Sequence, residues 1–89
     1  MKQEKIELGC HNIVVTIISD NGKRSGMVHS DLSKDAPKNI KDFKPWDYAI
    51  DALEGVVLGH AMAGVDVTAP EYIEGINTAV EAIANYLGD

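Results

Sequence analysis

The pattern of apolar and polar positions divides the chain near residue 45. Before it, apolar residues cluster in short β-branched runs. After it, they recur at intervals of three and four, the period of an α-helix. Ile13-Val14-Val15-Thr16-Ile17-Ile18 is β-branched at every position, which favours extended backbone. Asp20-Asn21-Gly22 follows, and an Asn-Gly pair supplies the two positive φ angles that a two-residue hairpin loop needs. With Asn21-Gly22 as the loop, Asp20 pairs with Lys23, Ile18 with Ser25, Thr16 with Met27, Val15 with Val28 and Val14 with His29. One face then carries Ile13, Val15, Ile17 and Val28, and the other Val14, Thr16, Ile18, Met27 and His29. Both are substantially apolar, so both are expected to be covered. Lys5 to Ile18 reads as one long strand or as two short ones broken near Gly9-Cys10-His11-Asn12.

Two helices are predicted over residues 45–88. The first opens at Pro45-Trp46 and stops near Gly64, with a core stripe of Trp46, Ile50, Leu53, Val57 and Ala61. Beside that stripe runs a row of small residues, Ala52, Gly55, Val56, Gly59 and Ala63. Glycine costs about 1 kcal/mol relative to alanine inside a helix, so the row predicts close approach by another helix. The candidates are the second helix, through Gly75, Ala79 and Ala82, or a copy in another subunit. The second helix starts at Thr68-Ala69-Pro70-Glu71, which has the form of a capping box with Thr68 as N-cap. Its apolar face is Ile73, Ile76, Val80, Ile83 and Leu87, and Gly88 is a C-cap candidate. The expected fold is α+β, ββαα, or three short strands before the helices where the break near Gly9-Cys10-His11-Asn12 divides the first strand. An N-terminal hairpin (1–32) leads through a basic connector (33–44) to a helical hairpin (45–88), in one domain of 89 residues.

A domain of this size buries a modest share of its surface, and a lone hairpin leaves two open edges. A homo-oligomer is therefore expected, through the small-residue row and the open hairpin. The single cysteine precludes an internal disulfide and suits a reducing compartment. The N-terminal residues do not resemble a signal peptide, and the apolar run from Gly55 to Val65 is too short to span a membrane. A cytoplasmic location is expected.

The net charge of −6 is unevenly spread. Residues 1–45 hold eight basic and six acidic side chains, a balance of +2. Residues 46–89 hold eight acids and no Lys or Arg, a balance of −8. This acidic half is open to three readings: a solvated face, a surface complemented by basic residues of the same or another subunit, or a mimic of nucleic-acid charge. Direct nucleic-acid binding is disfavoured, because phosphate contacts need Lys or Arg.

Candidate chemistry is sparse. Lys23 and Arg24 flank the hairpin turn, and a guanidinium beside a lysine suits a phosphate or carboxylate. With Lys44 and the aromatic surfaces of Trp46 and Tyr48, they suggest a site for a nucleotide-sized anion, with His11 and Asn12 as further candidate contacts. Cys10, His11 and His29 come nearest to a metal set but lack ligand spacing, so no metal or cofactor is expected. His60 is either a satisfied interface histidine or an acid–base group. Asp47, Asp51 and Glu54 share a helix face, as paired carboxylates or as a solvated surface. No catalytic motif emerges, and no enzyme activity is expected.

Residues 46–87, WDYAIDALEGVVLGHAMAGVDVTAPEYIEGINTAVEAIANYL, resemble the C-terminal part of small uncharacterised proteins of bacteriophages and prophages. The ββαα order is also similar to that of phage anti-defence proteins that sequester nucleotide immune signals. These resemblances imply an accessory protein in a bacterial host that acts by binding a small anionic ligand. The alternative is an acidic inhibitor of a host protein, using Asp47, Asp51, Glu54, Glu74 and Glu81. A small enzyme or metal protein built on His11, His29 or His60 is a third.

Overall fold

A computed structural model describes residues 1–87. Three antiparallel strands, β1 (Lys2–Glu7), β2 (Val14–Asp20) and β3 (Lys23–His29), form one sheet in that order. Two helices follow, α1 (Pro45–Met62) and α2 (Pro70–Leu87), so the order is βββαα, the three-strand form of the expected fold. The first strand begins at Lys2, three residues before the expected start at Lys5. The break falls where the sequence places it, in the turn between β1 and β2, with Gly9, His11 and Asn12 at φ of 86°, 50° and 50°. Asn21 and Gly22 take φ of 52° and 80°, as a two-residue hairpin loop requires. The β2–β3 register runs from Asp20–Lys23 to Val14–His29, as read from that loop.

Strand alternation puts Val15, Ile17, Val28 and Gly26 on the face beneath α1. Gly26 is what lets the helix lie close, because a Cβ there would meet Leu58 Cδ1 at 2.8 Å. The core joins Leu8, Ile13, Val15 and Ile17 to Val57 and Ala61 of α1 and to Ile76 and Val80 of α2. Val67, in the turn between the helices, is also fully buried. Both helices pack on this side of the sheet, and the opposite face, for which a partner subunit is the expected cover, is open in the single chain. On the uncovered side Met27 and His29 are exposed, Val14 and Ile18 are half-buried, and only Thr16 is shielded by its neighbours.

α1 ends in a Schellman motif: Val65 N–H donates to His60 O at 3.0 Å, Gly64 N–H to Ala61 O at 3.1 Å, and Gly64 takes φ 93°. The Thr68 capping box does not form. Asp66 accepts both the Thr68 N–H (3.0 Å) and the Thr68 hydroxyl (2.6 Å), and α2 starts two residues later at Pro70. Ala69 O then accepts from the N–H groups of Tyr72 and Ile73. The expected cap Gly88 lies outside the described residues. Among these residues no helix is long and apolar enough to cross a membrane.

The connector folds back on α1. Asn39 caps a single 3₁₀ turn at Ile40–Asp42 by accepting Lys41 N–H. Phe43 packs edge-on against Tyr48, whose hydroxyl donates to Ile40 O at 3.2 Å. The Ile40 side chain is exposed, and its carbonyl makes the contact.

Candidate functional site

α1 begins at Pro45, where a missing N–H costs nothing. The Lys44 N–H donates to the Asp47 carboxylate at 2.9 Å, closing the first turn. This turn presents Trp46, half-buried, beside the segment that leaves β3. Between them lies a cleft of about 470 Å³, within the usual size range of small-ligand sites. Trp46, Leu32 and Leu87 give it apolar walls, and Asp31, Asp35 and Asp47 bring three carboxylates against the single ammonium of Lys44.

The wall opposite Trp46 is pinned from two sides. Asp31 N–H donates to His11 O at 2.9 Å, and Asn12 Nδ2 donates to the Asp31 carboxylate at 2.6 Å. The His11 Nε2–H in turn donates to Asn77 Oδ1 on α2 at 2.9 Å. On the other side, the hydroxyls of Ser30 and Ser33 both donate to Glu54 Oε2, at 2.6 and 2.7 Å. Glu54 was placed with Asp47, Asp51, Glu74 and Glu81 on an acidic outer face, yet it is only 7% exposed and belongs to the core stripe. Its spacing carried the signal, because Ile50, Glu54, Val57 and Ala61 are the buried residues of α1 at intervals of four, three and four.

The residues read as one anion site are not brought together within the chain. Lys44 and Trp46 line the cleft, and Asn12 reaches it through Asp31. Tyr48 is exposed and turned to Phe43 and the connector, away from the cleft lining. Lys23 is exposed at the β2–β3 turn. Arg24 lies at the far end of α1, about 27 Å from its N-terminus at 1.5 Å per residue, where it donates to Met62 O at 2.9 Å. Arg24 borders a second hollow of about 380 Å³ with Glu4 and Asp66, two further acids. A single small anion in one chain therefore cannot touch both Arg24 and Lys44.

Of the two partners expected for the small-residue row, α2 is not the one it meets. Ala52, Gly55, Val56, Gly59 and Ala63 are all exposed, and a Cβ on Gly55, Gly59 or Gly75 would meet nothing within 4 Å. The row does not pack on α2.

His60 is exposed, with Nδ1 2.7 Å from the Tyr72 hydroxyl and the rings edge to face. Burial pushes the Tyr72 phenol above its ordinary value and does the same to the Cys10 thiol. Among the described residues no group of three His, Cys, Asp or Glu side chains could hold a metal ion. No protein-family model, curated protein or solved structure matches the chain.

Proposed function

We infer that the chain acts by binding, with the Trp46 cleft as its recognition site and a cationic, partly apolar group as its target. The arginine and lysine side chains of a basic segment on a partner protein have this chemistry. The observation that carries the reading is the composition of the lining, one tryptophan with three aspartates and one lysine. A guanidinium stacks on indole and pairs with carboxylates, whereas a phosphate there would face an excess of negative charge. This is the acidic-inhibitor reading moved from the outer helix face to the amino end of α1. The nucleotide reading keeps only Lys44 and Trp46 of its residues at this place. An accessory role in a phage-infected bacterium rests on the resemblance of residues 46–87 alone.

Trp46 is the only tryptophan in the chain, so its emission reports on the cleft directly. Titration with a short arginine–phenylalanine peptide is expected to quench or shift that emission, with the effect weakened in Asp35→Asn. ATP at the same concentration is expected to leave it unchanged. A response to ATP alone would restore the anion reading, and silence toward both would remove the cleft as the recognition site.

A further inference from the structure

A carboxylate in the buried stripe of an amphipathic helix is costly unless hydrogen bonds replace its lost hydration. Glu54 is compensated by two hydroxyls, from Ser30 and Ser33, on the same oxygen. Ser30 Oγ also accepts the Leu32 N–H at 3.1 Å. All three bonds thus converge on residues 30–33, and the two residues between the serines, Asp31 and Leu32, form the cleft wall facing Trp46. An aliphatic residue at position 54 would serve the core equally well but would leave that wall without an anchor on α1.

We propose that Glu54 is the positioning residue of the Trp46 cleft. Its carboxylate clamps residues 30–33 to α1 and sets the gap between the Asp31–Leu32 wall and the indole. The His11–Asn77 and Asn12–Asp31 bonds brace the same wall from α2 and the β1–β2 turn. Ligand binding by this wall rests on the function proposed above. The position of the wall does not, and it can be read without ligand.

The test compares Glu54→Leu, Glu54→Gln and Ser33→Ala with the parent chain. Acrylamide quenching of Trp46 is measured well below the melting temperature, with far-ultraviolet circular dichroism confirming the fold. Glu54→Leu is expected to raise the quenching constant roughly twofold as the wall opens locally. Glu54→Gln stays near the parent, because its amide oxygen accepts both hydroxyls. Ser33→Ala falls between them and loses roughly tenfold in affinity for the arginine–phenylalanine peptide, one hydrogen bond to a charged group. A folded Glu54→Leu with parent-level quenching, even with a lower melting temperature, would reduce Glu54 to a stability role and overturn the proposal. If Glu54→Leu does not fold, parent-level quenching and affinity in Ser33→Ala overturn it instead. If the parent binds no peptide while Glu54→Leu still exposes Trp46, the binding reading fails and the clamp stands.

Discussion

The Arg24 guanidinium donates to the Met62 carbonyl at 2.9 Å, so the only arginine of the chain caps the last turn of α1 from the neighbouring strand. A cation at a helix C-terminus satisfies an orphan carbonyl and complements the helix dipole. Arg24→Ala is expected to lower stability by about 1 kcal/mol, the scale of one such bond. Peptide binding at the Trp46 cleft is expected to stay at the parent level. Urea denaturation and Trp46 titration of the same variant check both, and a variant of parent stability that no longer binds would return Arg24 to the site.

Gly26 holds α1 against the sheet. A Cβ there would stand 2.8 Å from Leu58 Cδ1 and 3.0 Å from the Thr16 carbonyl oxygen. The leucine tip can turn, but the backbone oxygen cannot. Gly26→Ala is therefore expected to cost about 1–3 kcal/mol, the usual price of overpacking. Chemical denaturation measures it, and an unchanged midpoint would mean that helix and sheet separate freely at this contact.

What the sequence made legible follows from how local each determinant is. Asn21-Gly22 fixes its hairpin within four residues, and the whole β2–β3 register follows from it. Pro45 and Gly64 mark the ends of α1 for reasons internal to the helix. β1 was legible only from Lys5, because Lys2-Gln3-Glu4 has no apolar face of its own. It is an edge strand with charged side chains, which also discourages pairing with other chains. Thr68 looked like a cap because the competitor, Asp66, lies before the motif. Lys44 and Trp46 do line one cleft, being two residues apart at the start of α1. The burial of Glu54 follows from its spacing, but its partners could not be read, since Ser30 and Ser33 lie more than twenty residues upstream and meet it only through tertiary packing. The separation of Arg24 from Lys44 is likewise a property of the packing, because β3 runs along α1 and sets the two at opposite ends.

The turn between the helices carries a pH signature. Asp66 is held below its ordinary value of 3.8, first by the Thr68 hydroxyl and then by the Thr68 N–H. A lowered folded value means the ionised form is the one the turn favours. Its contribution is complete above 3.8 and is lost as pH falls through the folded value. A carboxyl-carbon NMR titration should find Asp66 titrating below its ordinary 3.8, and Thr68→Val should move it back up. If Thr68→Val leaves the titration unchanged, the hydroxyl is not the cause.

Cys10 sits half-buried in the β1–β2 turn, and desolvation raises its thiol above the ordinary 9.0. The thiolate is the reactive form, so alkylation by iodoacetamide at neutral pH is expected to run slower than that of a free cysteine. It should reach the free rate on unfolding in urea. Alkylation at the free rate in the native protein would contradict the burial of this turn.

Gly55 and Gly59 give the sharpest test of whether this chain works alone. Each lies inside α1, where glycine is about 1 kcal/mol worse than alanine, and each has open space where a Cβ would go. In the isolated chain, Gly55→Ala and Gly59→Ala should therefore both stabilise, together by about 2 kcal/mol. The gain arises because the unfolded chain loses freedom and the folded chain meets no obstruction. Packing against a second helix of another copy reverses the sign, since the added methyls would push the two backbones apart. Thermal melts of the double variant decide the matter when paired with sedimentation analysis of the parent. A raised melting temperature at unchanged mass marks this face as solvent-exposed in solution. A lowered one, with loss of a heavier species, identifies it as the contact between subunits.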